Sequence, residues 1–339
     1  MTVSTKARLS TALIPFIVLL AAALHPARAD DKVTMVTGWT AEAEHGGFYQ
    51  ALATGIYKKY GLDVTIRQGG PQVNTAQLLA AGAVDFRIGS NDSGDFNFVK
   101  TGAPGMAVAA MFQKDPTILI AHPDVGINSL ADMKGHPIAL AKANLDTWWP
   151  LVKKKFGFTD EQIRPYTFQI APFLVDKNLV QLGFLTSEPY AIEQKAGFKP
   201  KVFLIANDAD YDTYASIIET TPALVAKNPD LVQRFVNASI EGWYSYIDGD
   251  PAPANTAIMQ ADPSMSAGQI AYARGKLKEY GIIDSGDTAK LGIGAMTDAR
   301  WKSLFEKLVG FGLYPASLDY RKAFTLQFVN KGHGLAMRK

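Results

Sequence analysis

The feature that most constrains this chain is a repeated switch between two hydrophobic periods. Leu62, Val64 and Ile66 alternate with Asp63, Thr65 and Arg67, the two-residue period of a strand with one buried face. Just before them, Phe48, Ala51, Leu52, Gly55 and Ile56 fall on one stripe of a helix predicted over 48–60, with Gly61 suited to ending it. The same alternation continues with a strand opening at Val33, a short helix over 77–81 and a strand at Val84, Phe86 and Ile88. Strands alternating with helices predict a mostly parallel sheet with helices on its faces.

The pattern then starts again. Apolar runs at 106–111 and 117–121 read as strands, and Ser129-x-x-Asp132 caps a short helix before a strand at 137–140. A helix is predicted over 148–156, a strand over 180–185, a helix over 189–195 and strands over 202–205 and 215–219. Beyond that the chain turns helical, with Leu231, Val232, Phe235, Val236, Ser239, Ile240, Trp243, Tyr244 and Ile247 marking one amphipathic stripe. The 339 residues suffice for two such lobes.

Lys6 and Arg8 precede an uncharged run at 12–24, and Ala27-Arg28-Ala29 supplies a small-residue cleavage pattern. Thirteen residues are too few to span a bilayer core of about 30 Å as a helix, so residues 1–29 are predicted to be a cleavable export signal. Its removal takes away three cations and no anion. The count moves from 34 basic residues to 31 against 32 acidic ones, and the formal charge from +2 to −1. A mature chain so nearly neutral offers no broad basic surface for nucleic acid, and Lys153, Lys154 and Lys155 read as one solvated helix face. No Cys is present, which excludes disulfides, thiolate metal sites, cysteine nucleophiles and a lipidated N-terminal Cys. His45, His122, His136 and His333 are scattered, and the signatures of zinc peptidases, serine hydrolases and phosphate loops are missing. Neither a metal, a cofactor nor catalysis is expected.

Four segments carry a family resemblance. They are Trp39 followed by His45-Gly46-Gly47-Phe48-Tyr49 and Gly55-x5-Gly61-Leu62-Asp63-Val64; Leu79-x2-Gly82-x2-Asp85-Phe86; Ser129-Leu130-x3-Lys134-Gly135; and Thr186-Ser187-Glu188-Pro189. In this order they resemble the solute-binding proteins of ABC importers, in the family of the nitrate, taurine, aliphatic-sulfonate and thiamine-pyrimidine-precursor receptors. The Trp, His and Glu-Pro elements look most like the pyrimidine-precursor branch. The resemblance implies a two-lobed periplasmic binding protein of type II, each lobe a mostly parallel sheet flanked by helices, with the hinge crossed twice, near His122 and Tyr214. Residues 30–121 would begin lobe one, 122–215 would form lobe two, and 216–339 would return to lobe one. It further implies a monomer in the periplasm that delivers its ligand to a membrane permease.

In such a fold, loops at the C-terminal ends of strands face a crevice, so the candidate contacts sit at strand ends. Trp39 offers a stacking face, and Glu42, Glu44 and His45 follow in the same loop. Ser90, Asn91 and Asp92 end another strand; Trp148 opens a helix; Tyr211 and Tyr214 lie near the returning hinge. Glu188 and then Tyr190 are the lobe-two contacts that the resemblance to the pyrimidine receptors implies. This aromatic and acidic inventory disfavours anions. A carboxylate about 4 Å from a sulfonate opposes binding by roughly 4 kcal/mol at an effective dielectric near 20, or about a thousandfold. A small planar ring with N–H donors is the expected ligand. The alternatives are a sulfonate, nitrate or taurine receptor and, more remotely, an enzyme like the thiamine-pyrimidine synthases, which bind pyridoxal phosphate but carry a cysteine cluster that is absent here.

Overall fold

The computed structural model describes residues 1–3, 29–91 and 93–339. Residues 4–28 of the expected export signal, and Asp92, lie outside the described residues. Among the described residues, ten strands divide into two five-stranded sheets: β1 (Asp31–Val36), β2 (Leu62–Arg67), β3 (Phe86–Asn91), β4 (Met106–Phe112), β5 (Thr117–Ala121), β6 (Ile138–Leu140), β7 (Ile163–Pro165), β8 (Val180–Phe184), β9 (Lys201–Leu204) and β10 (Ala215–Thr220).

The first sheet runs in the order β2-β1-β3-β10-β4 and the second β7-β6-β8-β5-β9. Each has three strands in parallel pairing and then one strand antiparallel to both its neighbours, β10 in the first and β5 in the second. Four of five strands therefore share a direction in each sheet, and the odd strand is the one that has just crossed from the other lobe. This is a two-lobed α/β architecture. β5 pairs with β8 and β9, so the first crossing falls between Phe112 and Thr117 rather than near His122. The return lies between Leu204 and Ala215.

Strand character follows burial. In β2, Leu62 and Val64 are buried while Asp63 and Thr65 face water, whereas β5 and β10 are covered on both faces and buried throughout. Glu219 of β10 is buried with the guanidinium of Arg87 on β3 at 3.1 Å. The predicted helix over 48–60 is two helices, Gly46–Ala53 and Ile56–Lys59, parted at Gly55, whose φ of +74° breaks the run.

The longest helix among the described residues, Pro229–Asp248, lies against Gly46–Ala53 and closes the core of lobe one. Contact is close because glycines face it: a Cβ on Gly46 would fall 2.1 Å from the Tyr246 ring and one on Gly47 2.2 Å from Trp243. The glycines after His45 thus seat a helix whose N-terminal loop builds the site. Among the described residues no helix is long and apolar enough to cross a membrane.

Candidate functional site

The loop between β1 and the helix Gly46–Ala53 carries Trp39, Glu42, Glu44 and His45. It is tied down by its own backbone: Thr37 Oγ1 and the Gly69 N–H both donate to the Trp39 carbonyl, at 2.6 and 3.1 Å. Gln68 accepts from the Ala41 N–H at 2.8 Å and donates to the Ala261 carbonyl at 2.8 Å. The loop therefore meets lobe two as a fixed edge.

Across from it stand the C-terminal ends of β7 and β8. The Trp39 ring lies 5.3 Å from that of Phe168, and Phe168 lies 5.2 Å from Tyr166, separations within the range of favourable ring contacts. Phe168 takes a left-handed backbone, φ +59°, an unfavourable conformation for a bulky residue that recurs where side chains must be aimed. Tyr166 donates to Glu188 Oε1 at 2.8 Å, and the Phe184 N–H donates to Oε2 at 2.7 Å. Both oxygens of Glu188 are thus oriented by their own lobe. Thr186, two residues earlier, donates its hydroxyl across the interface to Glu44.

The electrostatics are one-sided. Burial raises the carboxyl of Glu42 well above its ordinary value, and the charges of Glu44, Glu188 and Asp262 raise it further. Burial likewise raises Glu44, against the Thr186 hydrogen bond, and Glu188, against the donors Phe184 and Tyr166. Asp262 is the exception: burial pushes it up, but donors from Ser264 and Thr40 outweigh this and hold it low. His45 is buried and its imidazole is pushed down to about 4, burial outweighing its hydrogen bond to the Thr40 backbone. It is neutral at neutral pH, and its Nδ1 has no partner. Among the described residues no cluster of His, Asp and Glu could hold a metal ion.

Glu42, Glu44, Thr186 and Ser187 line a crevice with Met265 and Gln269 that is too narrow to admit a water molecule. The lobes touch here.

The remaining sequence candidates sit elsewhere. Asn91 donates to Asp115 at 3.0 Å and accepts from Ser93, while Ser90 is exposed at the end of β3. Trp148 is buried in lobe two, 6.3 Å from Trp149. Tyr190 reaches over to Tyr272 at 5.4 Å, a lobe-to-lobe contact beside the crevice. Tyr214 is buried, donates to Asp287 at 2.6 Å and carries the Arg300 guanidinium 4.0 Å over its ring, so its polar and flat faces are already engaged by lobe one. Tyr211 is also buried. Reading the sequence missed Tyr166, Phe168 and Asp262, and quoted Thr186 without giving it a role.

A family model described as NMT1/THI5 like matches residues 42–254, well over half of the chain. The chain is a member of the NMT1/THI5-like family. Among curated relatives, this NMT1/THI5-like chain is 25% identical over 309 residues to the riboflavin-binding protein RibY of Chloroflexus aurantiacus, covering 89% of the chain and 87% of the relative. It is 22% identical to the 4-amino-5-hydroxymethyl-2-methylpyrimidine phosphate synthase of Legionella pneumophila, over 69% of the chain and 75% of that protein. Among solved structures, the periplasmic aliphatic sulphonate binding protein SsuA of Escherichia coli superposes with a TM-score of 0.65 at 14% identity, covering 86% of this chain and 91% of that one. At that identity the likeness shows the fold: this family member is built as a periplasmic binding protein.

Proposed function

We propose that this chain is the solute-binding component of an ABC importer, exported to the periplasm by residues 1–29. In this reading it captures a small planar ring with N–H donors between its two lobes and presents it to a membrane permease as a monomer. The hinge is formed by the two crossings, 113–116 and 205–214. Trp39 and Phe168 hold the ring's face, and Glu42, Glu44 and Glu188 meet its edge. The loop between β1 and the helix Gly46–Ala53 and the ends of β7 and β8 are the lobes' contact surfaces, and closure around a guest requires contacts from both sides. The RibY and synthase names concern a flavin and an aminopyrimidine, both flat and nitrogen-rich, in keeping with the site's chemistry.

One observation carries this reading: the edges that meet at the crevice are acidic, with Glu42 and Glu44 lining it from one lobe beside Thr186 of the other, and the charges of Glu44, Glu188 and Asp262 all push the Glu42 carboxyl up. A sulfonate placed among them adds to the repulsion, whereas ring N–H donors relieve it. The synthase reading has less support, because the cysteine cluster that accompanies it is absent from the sequence.

The test is a thermal-shift and calorimetric comparison of pyrimidines, flavins, alkanesulfonates, taurine and nitrate. A ligand at 100 times its dissociation constant adds about 2.7 kcal/mol of stability. A planar nitrogen heterocycle is expected to win, and Trp39→Ala and Glu188→Ala are each expected to weaken it at least tenfold, about 1.4 kcal/mol. Tighter binding of a sulfonate, or unchanged affinity in both variants, overturns the proposal.

A further inference from the structure

The two crossings between the lobes are gripped by one side chain. Arg300 lies near the start of the helix Asp298–Gly310, which Trp301 and Phe305 dock on Phe96 of lobe one. Its Nη1 donates to Gln113 Oε1 at 3.1 Å, and its Nη2 donates to the Gln113 carbonyl and, at 3.3 Å, to the Thr213 carbonyl. Nη2 also lies 2.7 Å from Asp212 Oδ1, and the guanidinium carbon sits 4.0 Å over the Tyr214 ring. Gln113 opens the first crossing, and Asp212, Thr213 and Tyr214 end the return. A guanidinium is planar and presents its donors in a fixed fork, so this one sets the spacing and angle of both chains at once.

Around this grip each crossing is divided between the lobes. In the first, the Gln113 and Lys114 N–H groups donate to the Ile282 carbonyl at 2.6 and 3.3 Å, and Gln113 Nε2 donates to the Ala295 carbonyl at 3.0 Å. These are ties to lobe one. Pro116 instead accepts from the Leu185 N–H of lobe two at 3.0 Å. Asp115 stands between them, accepting from Asn91 of lobe one at 3.0 Å and from the Thr117 N–H of lobe two at 2.9 Å. In the return, Lys155 of lobe two donates to the Ala209 carbonyl at 3.1 Å and Lys307 of lobe one to the Asp210 carbonyl at 3.3 Å. The change of lobe again falls on one residue, Asp210, whose φ of +59° is a left-handed conformation that Asp adopts more readily than most. Hinges are a few loop residues that absorb the change in φ and ψ, and each crossing has one such point.

We infer that Arg300 is a hinge clamp: by holding Gln113 and Asp212–Tyr214 on one guanidinium it makes the two crossings bend together, at Asp115 and Asp210, and confines the lobes to a single opening motion. This rests on the hinge proposed above and not on which ligand the crevice takes.

The chain has no Cys, so Ala196→Cys in lobe two and Ala226→Cys in lobe one, both at exposed helix positions, can carry a pair of spin labels. Pulsed electron paramagnetic resonance of the ligand-free full chain then reads the distribution of distances between the lobes. Arg300→Met, which keeps an apolar stem and removes the fork, is expected to broaden that distribution about twofold or more. Arg300→Lys, which keeps the charge without the fork, is expected to broaden it as well. Arg338→Met is the control. Arg338 is held by Asp284 and the Thr288 and Ala289 carbonyls, wholly inside lobe one, so its loss is expected to lower the melting temperature and leave the width unchanged. Thr186→Val, which removes a contact across the crevice, is expected to move the mean distance. An unchanged width in every folded Arg300 variant, or equal broadening in Arg338→Met, overturns the clamp, and a moved mean in Thr186→Val then leaves the hinge standing. A mean unmoved in Thr186→Val takes away the opening motion and overturns the hinge and the clamp together. If neither Arg300 variant folds, Asp212→Ala, at a side chain that is 54% exposed, loosens the return crossing alone: a broader distribution supports the clamp and an unchanged one overturns it.

Discussion

Replacing Thr186 by Val separates the interface from the rest of the fold. The hydroxyl of Thr186 belongs to lobe two and Glu44 to lobe one, so their bond exists only while the lobes are together. Both residues are buried, and a hydrogen bond to a charged or chargeable buried group contributes about 1.5–3 kcal/mol. Valine keeps the shape and removes the donor. Since the open form never had the bond, the whole loss falls on the equilibrium between closed and open forms, shifting it by a factor of about 10–150. Small-angle scattering of the ligand-free chain reads this directly: a compact chain of this length has a radius of gyration near 20 Å, and the variant is expected to exceed its parent. Calorimetry with the best ligand should show weaker binding, and Thr186→Ser, which restores the hydroxyl, should recover both. An unchanged radius together with unchanged affinity in a folded Thr186→Val chain refutes the reasoning.

Tyr166→Phe removes a 2.8 Å donor from Glu188 and is expected to weaken ligand binding by about three- to thirtyfold, with little change in melting temperature; calorimetry checks it. His45 is held near pKa 4 against an ordinary 6.5, so the unfolded chain binds the proton that the native chain refuses. Its contribution is fully present above pH 6.5 and is lost as pH falls toward 4, by roughly 3 kcal/mol. Urea titrations should show this acid loss disappearing in His45→Gln relative to the parent, while the carboxyls of Glu42 and Glu44, which titrate with the opposite sign, are common to both. Gly89→Ala would put a Cβ 1.7 Å from Glu219 Oε1 and break its buried pairing with Arg87, an expected cost of about 3–5 kcal/mol in the same titrations.

What could be read from sequence follows the strength of local signals. The alternation in Leu62–Arg67 and the stripe of Pro229–Asp248 announce their elements because one face of each is buried and the other wet. The structure sets Trp39, which follows β1, and Glu188, which the family resemblance singled out after β8, on facing edges of the two lobes, linked through Phe168 and Tyr166. β7 was not: Ile163-Arg164-Pro165 offers one apolar residue and ends in proline, too short for any period to register. With that strand went Tyr166 and Phe168, although they stand between Trp39 and Glu188. The lobe of β5 was equally hidden, since a fully apolar run gives no sign of its partners, and those partners, β8 and β9, are about 60 to 85 residues away. Tyr214 looked like a cleft edge because Arg300 and Asp287, which occupy it, come from a distant helical segment.

The fold and the site therefore answer different questions. A sulfonate receptor shares the architecture, yet Glu42 of lobe one is raised by Glu188 of lobe two, a repulsion that grows as the lobes approach. Closure of the empty protein works against this term, with the Thr186 bond and the ring contacts opposing it. A guest that puts N–H donors or a positive edge between the two carboxyls removes the penalty in the closed form and does nothing comparable in the open one. That difference in affinity is the only means by which a ligand can drive closure. In the proposed function an anion in the same place enlarges the penalty, so the acidity of the two facing edges would select the guest and couple its capture to the movement of the lobes.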